Sequence, residues 1–298
     1  MKIETKSGYI GIVGRPNVGK STLMNKILKQ KLSITCRKPQ TTRHQIMGIK
    51  TEKNTQYIYV DTPGIHSNQE KAINRVMNRA AANVIYDVDI IIFIVEAKKW
   101  TSIEDSILCK LKDLTIPVIL VINKVDLLRN KSDLLPYISE VSSKGKFLSI
   151  VPLSAKSGKY IENLEYLISN SLPFADFIYD EDQLTDRSER FLVSEAIREK
   201  LMRAMGQELP YQIAVQIDMF KYDQDKNITD ISATILVEKS SQKSMVIGSQ
   251  GKRLKQIGIS ARKDIEVLLD TNVYLQLWVK VKEGWSDSEQ SLKGLGYE

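Results

Sequence analysis

Gly14-Arg15-Pro16-Asn17-Val18-Gly19-Lys20-Ser21 lies between an apolar run at residues 9–13 and a stretch of helical spacing at 21–29. It fits the pattern G-x-x-x-x-G-K-[ST], and it follows a strand and opens a helix, as that pattern requires. The glycines let backbone N–H groups close around phosphate oxygens, and the following helix points its positive end at them. In this arrangement Lys20 reaches the β- and γ-phosphates and the Ser21 hydroxyl ligates Mg²⁺. Gly14, Asn17, Val18, Gly19 and Thr22 complete the expected nucleotide-binding set of this loop.

Further along, strands alternate with helices. Residues 56–60, 90–95, 118–122 and 148–152 read as strands, and 71–86, 104–114, 132–141 and 161–172 as helices. This alternation predicts an α/β domain over residues 1–172, a mostly parallel sheet with helices on both faces. The run Ile90-Ile91-Ile92-Phe93-Ile94-Val95 suits a strand buried on both sides. Residues 173–187 are acidic and lack periodicity, so they read as a linker. Beyond them come a helix at 188–205 with Ser188 as its cap and strands at 211–220 and 230–238. Helices near 243–247 and 260–269 then flank a glycine-containing turn, and a strand follows at 273–281. That is α+β order and predicts a second domain over 188–298.

Composition agrees with two folded domains. The chain has 298 residues, 42% of them apolar and 27% charged, which excludes a wholly disordered chain. No apolar run approaches the roughly 18 residues of a membrane span. No signal-peptide pattern is expected at the start. Two cysteines, Cys36 and Cys109, make no disulfide framework, and a reducing cytoplasm is the expected compartment. The net charge is 43 − 36 = +7, but it is unevenly spread. Residues 1–170 hold 26 basic and 15 acidic side chains, and residues 171–298 hold 17 and 21. Within the acidic half, residues 239–263 carry seven bases and no acid, a local field that attracts phosphate. Alone, such a run would be a solvated face.

Three further boxes follow predicted strands. Asp61-Thr62-Pro63-Gly64 places a carboxylate where it can hold a Mg²⁺ shell, and Gly64 leaves an N–H free for a γ-phosphate. Asn123-Lys124-Val125-Asp126 offers a carboxylate that can accept from guanine N1–H and the N2 amine together. A site built for those donors rejects adenine strongly. Ser154-Ala155-Lys156 can bring backbone to the guanine carbonyl.

These four boxes, in this order, resemble the translation-factor-related GTPases. The resemblance implies GTP and GDP as ligands, with Mg²⁺ held by Ser21, Thr42 and Asp61. Thr42 comes from Gln40-Thr41-Thr42-Arg43, where the adjacent Thr41 is the alternative ligand. It implies Lys20, Thr42 and Gly64 as the residues nearest the chemistry. Where many of these GTPases carry a water-orienting glutamine, this chain has Ile65, so it resembles those with a hydrophobic replacement. In some of these an asparagine at the position of Asn17 helps bind K⁺. Intrinsic turnover is expected to be slow, since neither a glutamine nor an arginine finger is evident.

Gly248-Ser249-Gln250-Gly251-Lys252-Arg253-Leu254-Lys255 lies inside the basic stretch. A G-x-x-G loop between helices can clamp about four nucleotides by their backbone. Its setting resembles a type II K-homology RNA-binding domain, with Gly248, Ser249, Gln250, Gly251, Lys252, Arg253 and Lys255 as the RNA contacts. A P-loop GTPase joined to such a domain resembles the bacterial ribosome-assembly GTPases, over nearly the whole chain. That resemblance extends to Glu208-Leu-Pro-Tyr and Ile197-Arg-Glu-Lys-Leu. It implies a monomer that binds the 3′ end of 16S ribosomal RNA, not DNA, and acts in 30S subunit assembly. It allows peripheral association with the inner face of the cell membrane. The rival expectation is a non-ribosomal GTPase whose second domain docks a protein. His44 and His66 read as loop residues, and Trp278 reads as core.

Overall fold

The structure is a computed structural model that describes residues 4–36, 38, 41–64, 72–205 and 213–295. Gln40, Ile65, His66 and 208–211 lie outside the described residues. The chain forms two compact units. The first comprises residues 1–33, 42–69 and 77–186, and the second 34–41, 70–76 and 187–298.

The first unit is a six-stranded sheet in the order β2-β3-β1-β4-β5-β6. The strands are β1 (Lys6–Val13), β2 (Ile46–Glu52), β3 (Thr55–Asp61), β4 (Ile90–Glu96), β5 (Val118–Asn123) and β6 (Ser149–Pro152). All neighbours are parallel except β2 and β3. Strand β2 was not expected. It forms a hairpin with β3 through Lys53-Asn54, and Lys53 takes the left-handed conformation (φ 55°) that a tight turn needs. The helices are α1 (Lys20–Leu28), α2 (Ala72–Val84), α3 (Ser102–Leu111), α4 (Leu134–Ser142) and α5 (Ile161–Ser171).

Both parities of the central strands are buried. Ile91, Phe93 and Val95 of β4 pack with Ile107, Leu108 and Leu111 of α3 and Val141 of α4. Ile92 and Ile94 point the other way and are equally inaccessible, which requires cover on both faces. The segment read as a linker runs along this unit. Ala175 N donates to Thr5 O at 3.1 Å, and Ile49 N to Leu184 O at 2.8 Å. Buried Gln56 anchors it, accepting from Ile178 N at 2.8 Å and donating to Tyr179 O at 2.8 Å.

The second unit has the order α6 (Glu189–Ala204), β7 (Ile213–Asp223), β8 (Ile228–Val237), α7 (Ser240–Ile247), α8 (Lys252–Leu269) and β9 (Asn272–Val281), with a short α9 (Glu289–Gly294). Ser188 caps α6, its side chain accepting from Phe191 N. In the sheet β7 is antiparallel to β8, and β8 is parallel to β9. One face packs Ile231, Ala233, Ile235 and Val237 against Val193 and Ile197 of α6 and Ile257, Ala261 and Ile265 of α8.

The register corrects the expectation for Trp278. Val273, Leu275, Leu277 and Val279 of β9 pack against the core, so the opposite parity carries Trp278 outward, 59% exposed. Trp285 is the tryptophan that is fully buried.

Candidate functional site

The phosphate loop joins β1 to α1. Gly19 has φ 109°, and a Cβ there would lie 2.3 Å from Asn123 Nδ2, so no side chain fits. Lys20 is buried and its ammonium donates to Gly14 O at 2.9 Å and Arg15 O at 3.1 Å. Burial lowers its pKa to about 8; Asp61 opposes this and Arg15 adds to it. A phosphate oxygen entering the loop would meet a cation held in place by backbone carbonyls.

Ser21 is the meeting point of three segments. Its Oγ donates to Asp61 Oδ2 at 2.6 Å and lies 2.7 Å from Thr42 Oγ1. Thr41 faces elsewhere, donating to Lys38 O at 2.6 Å. Asp61 is fully buried, and its pKa is raised by that burial against hydrogen bonds from Ser21 and the charge of Lys20. Its Oδ1 has no hydrogen-bond partner among the described residues. A buried carboxylate oxygen without a donor, beside two hydroxyls, is a hard-oxygen donor set that fits Mg²⁺. Gly64 lies against the phosphate loop, and a Cβ there would come within 2.7 Å of Pro16. Thr62 anchors that segment by donating to Ile12 O at 2.9 Å.

At the end of β5, Asn123 ties three loops together. Its Nδ2 donates to Val18 O at 2.7 Å, and its Oδ1 accepts from Lys124 N at 2.7 Å and Ala155 N at 2.9 Å. The side chain is nearly inaccessible, and its amide is committed to these loops. Asp126 is exposed, and its carboxylate has no partner among the described residues. Ser154 and Ala155 are buried and Lys156 is exposed, which leaves backbone at the loop's surface. Asn17 is exposed with φ 64°.

Sequence reading missed the anchoring of residues 34–41 within the second unit. Glu199 Oε1 accepts from Thr35 N at 3.0 Å, and Arg203 Nη2 donates to Thr35 O at 3.0 Å. Arg198 Nη2 donates to Thr41 O, and Lys38 Nζ to the carbonyls of Met202 and Met205. Glu195, Arg198 and Glu199 are all buried on α6. A signal was present: Glu195, Arg198 and Glu199 are spaced i, i+3, i+4, so these charges share one stripe, with Met202 one turn further on.

The second unit's glycine loop joins α7 to α8. Gly248 and Gly251 have φ 70° and 74°, and nothing lies within 4 Å of where a Cβ on Gly251 would be. Gly251 N–H donates to Gly248 O at 3.2 Å, and Arg253 Nη1 closes the loop on Met245 O at 2.5 Å. Ser249, Gln250, Lys252, Arg253 and Lys255 are exposed around the N-terminus of α8. A shallow groove runs from Gly251 past Lys255 and Arg262 to Tyr274 and Leu277 of β9. It combines open backbone, positive charge and an apolar floor, which suits a single-stranded nucleic-acid backbone.

Fold and site together define a P-loop GTPase joined to a K-homology domain. Residues 9–124 match the family described as 50S ribosome-binding GTPase, and residues 208–286 match the KH domain. GTPase Era of Histophilus somni (strain 129Pt) is 55% identical over 294 residues, 99% of this chain and 98% of that protein. GTPase Era of Haemophilus influenzae (strain PittGG) is 54% identical, over 99% and 97% of the two chains. A crystal structure of Era with MgGDPNP and nucleotides 1506–1542 of 16S ribosomal RNA superimposes with a TM-score of 0.95. It is 37% identical over 98% of this chain and 99% of that one. An Aquifex aeolicus Era variant bound to GDP and AlF4⁻ matches with the same TM-score, identity and shares. The chain belongs to the Era family of GTPases. It binds GTP and GDP and hydrolyses GTP. Among the described residues no helix is long and apolar enough to cross a membrane.

Proposed function

We propose that this chain is a nucleotide-controlled switch that grips the 3′ end of 16S ribosomal RNA during 30S subunit assembly. The observation that carries the RNA half is the open glycine loop at the N-terminus of α8, within a basic, acid-free stretch. The Era relative bound to nucleotides 1506–1542 of 16S ribosomal RNA supports the choice of RNA.

In this reading Lys20 holds the β- and γ-phosphates, and Asp126 accepts from both guanine donors. The backbone of Val18, Thr22 and the loop at Ser154, Ala155 and Lys156 completes the nucleotide cradle. Ser21, Thr42 and Asp61 would hold Mg²⁺, which supplies positive charge at the phosphates. The convergence of Thr42, not Thr41, on Ser21 supports that choice of ligand. Gly64 would turn its N–H to the γ-phosphate, so that Gly64 and Thr42 close on the nucleotide with GTP and release it after hydrolysis. Asn17 would help hold K⁺, and equal hydrolysis rates in Na⁺ and K⁺ would contradict that assignment. A cytoplasmic monomer, with any membrane contact peripheral, is the setting that the resemblance favours.

Gly251→Asp tests the RNA site. It should weaken RNA affinity by at least about tenfold while GTP hydrolysis stays at the wild-type rate. RNA affinity unchanged by this variant, or without steep salt dependence, would instead favour a protein-docking second domain.

A further inference from the structure

Glu96 ends β4 and belongs to none of the nucleotide motifs. Its Oε2 accepts from Arg15 Nη2 at 2.8 Å and pairs with Lys124 Nζ at 3.1 Å. Arg15 is the second residue of the phosphate loop, and Lys124 belongs to the loop that follows β5. One carboxylate therefore touches a cation from each of the two loops that must grip opposite ends of a nucleotide.

The backbone that carries this carboxylate is held at the end of β4. Glu96 O accepts from Lys99 N at 3.0 Å and from Tyr137 Oη at 3.3 Å. Ala97 N donates to Asn123 O at 2.9 Å. A second acid supports Arg15: its Nε lies 2.6 Å from Oε1 of fully buried Glu104. Glu104 in turn accepts from Thr101 N at 2.9 Å in the capping box of α3. The side chains of Arg15, Glu96 and Lys124 are only 12%, 22% and 29% exposed. Pairs shielded to this degree are screened less than pairs at an open surface.

We propose that Glu96 is a positioning residue for guanine-nucleotide binding, fixing Arg15 and Lys124 so that the phosphate loop and the base loop keep one spacing. The proposal rests on the reading of those two loops given above. Without Glu96, the Lys124 side chain, a flexible stem with a strongly hydrated head, swings toward solvent. Arg15 keeps one partner of two. Neither change involves the γ-phosphate, so GDP and GTP should be affected alike.

Glu96→Gln keeps the shape and removes the charge. In the full-length chain, release of a fluorescent GDP and of a fluorescent GTP analogue should each accelerate about tenfold. KM should rise with them, while kcat stays within about twofold. Added to an Arg15→Gln/Lys124→Met background, Glu96→Gln should change release by less than about twofold, because its partners are gone. Wild-type release from Glu96→Gln would overturn the proposal. So would equal acceleration in the background lacking both cations, or a fall in kcat with KM unchanged. Should Glu96→Gln fail to fold, Glu96→Asp carries the test. It keeps the charge but withdraws it by one methylene, and release at least about threefold faster is expected. Wild-type release from that variant overturns the proposal equally. Asp126→Asn separates the two levels. If it binds GDP as the wild type does, the reading of the base loop fails. If it loses GDP while Glu96→Gln behaves as wild type, only the positioning role fails.

Discussion

Lys20 is where burial and chemistry meet. Its pKa is held at about 8, chiefly by desolvation. Phosphate oxygens around the ammonium would raise it again. Between that value and the ordinary lysine range, the free protein therefore carries fewer protons than the complex. Binding then takes up protons, and affinity falls as pH rises through about 8, by at most about tenfold per pH unit. Titration calorimetry of a GTP analogue near pH 8.5, in two buffers of different ionisation enthalpy, should show net proton uptake; none would contradict the account. Asp126, exposed just past the end of β5, is the residue through which base identity should be read. Asp126→Asn should shift preference from GTP toward xanthosine triphosphate in competition binding, and retained guanine selectivity would count against it. Most of these residues were legible, since Lys20, Ser21, Asp61 and Asp126 sit in contiguous motifs. Asn123 was legible as a member of the set but not as a tie between Val18 and Ala155, because those contacts cross 105 and 32 residues. Glu96 was invisible for the same reason: nothing local marks a strand-terminal glutamate as the partner of two distant cations.

The strands that follow strict burial were readable, and those decided by pairing were not. Residues 90–95 and 118–122 announce themselves as apolar runs. Strand β2, Ile-Met-Gly-Ile-Lys-Thr-Glu, has one neighbouring strand, meets an irregular segment at Leu184 on its other edge and is half solvated toward its end, so its pattern is broken. Its clearest signal was the turn at Lys53-Asn54, a chemistry of positive φ and not of hydrophobicity. Strand β9 failed differently. Val-Tyr-Leu-Gln-Leu-Trp-Val is aliphatic on one parity and mixes Tyr274 and Trp278 with Gln276 on the other, so the two rings disguise the face that the pairing with β8 turns away from the helices. This difference is measurable. Trp285→Ala should cost about 3–5 kcal/mol in chemical unfolding, and Trp278→Ala less than about 1 kcal/mol. Equal losses would mean that the β9 register is misassigned. The Ser188 cap, expected and found, should contribute about 1 kcal/mol, read as the loss in Ser188→Ala.

At the scale of the whole chain, the division into a G domain and a K-homology domain was legible because the two halves differ in period, charge and motif. Less legible was the assignment of residues 34–41 to the second unit. That depends on buried Arg198 and Glu199 of α6, charges that a composition count treats as solvated surface. Thr41 and Thr42 are adjacent, yet Thr41 bonds within the second unit and Thr42 meets Ser21 in the first. The proposed switch has the nucleotide control the grip on RNA. The most direct test is the affinity of a labelled RNA matching the 3′ end of 16S ribosomal RNA, measured with a non-hydrolysable GTP analogue and with GDP. Binding at least about tenfold tighter in the GTP form is the predicted result. Equal affinity in the two forms, or no binding in either, would contradict it.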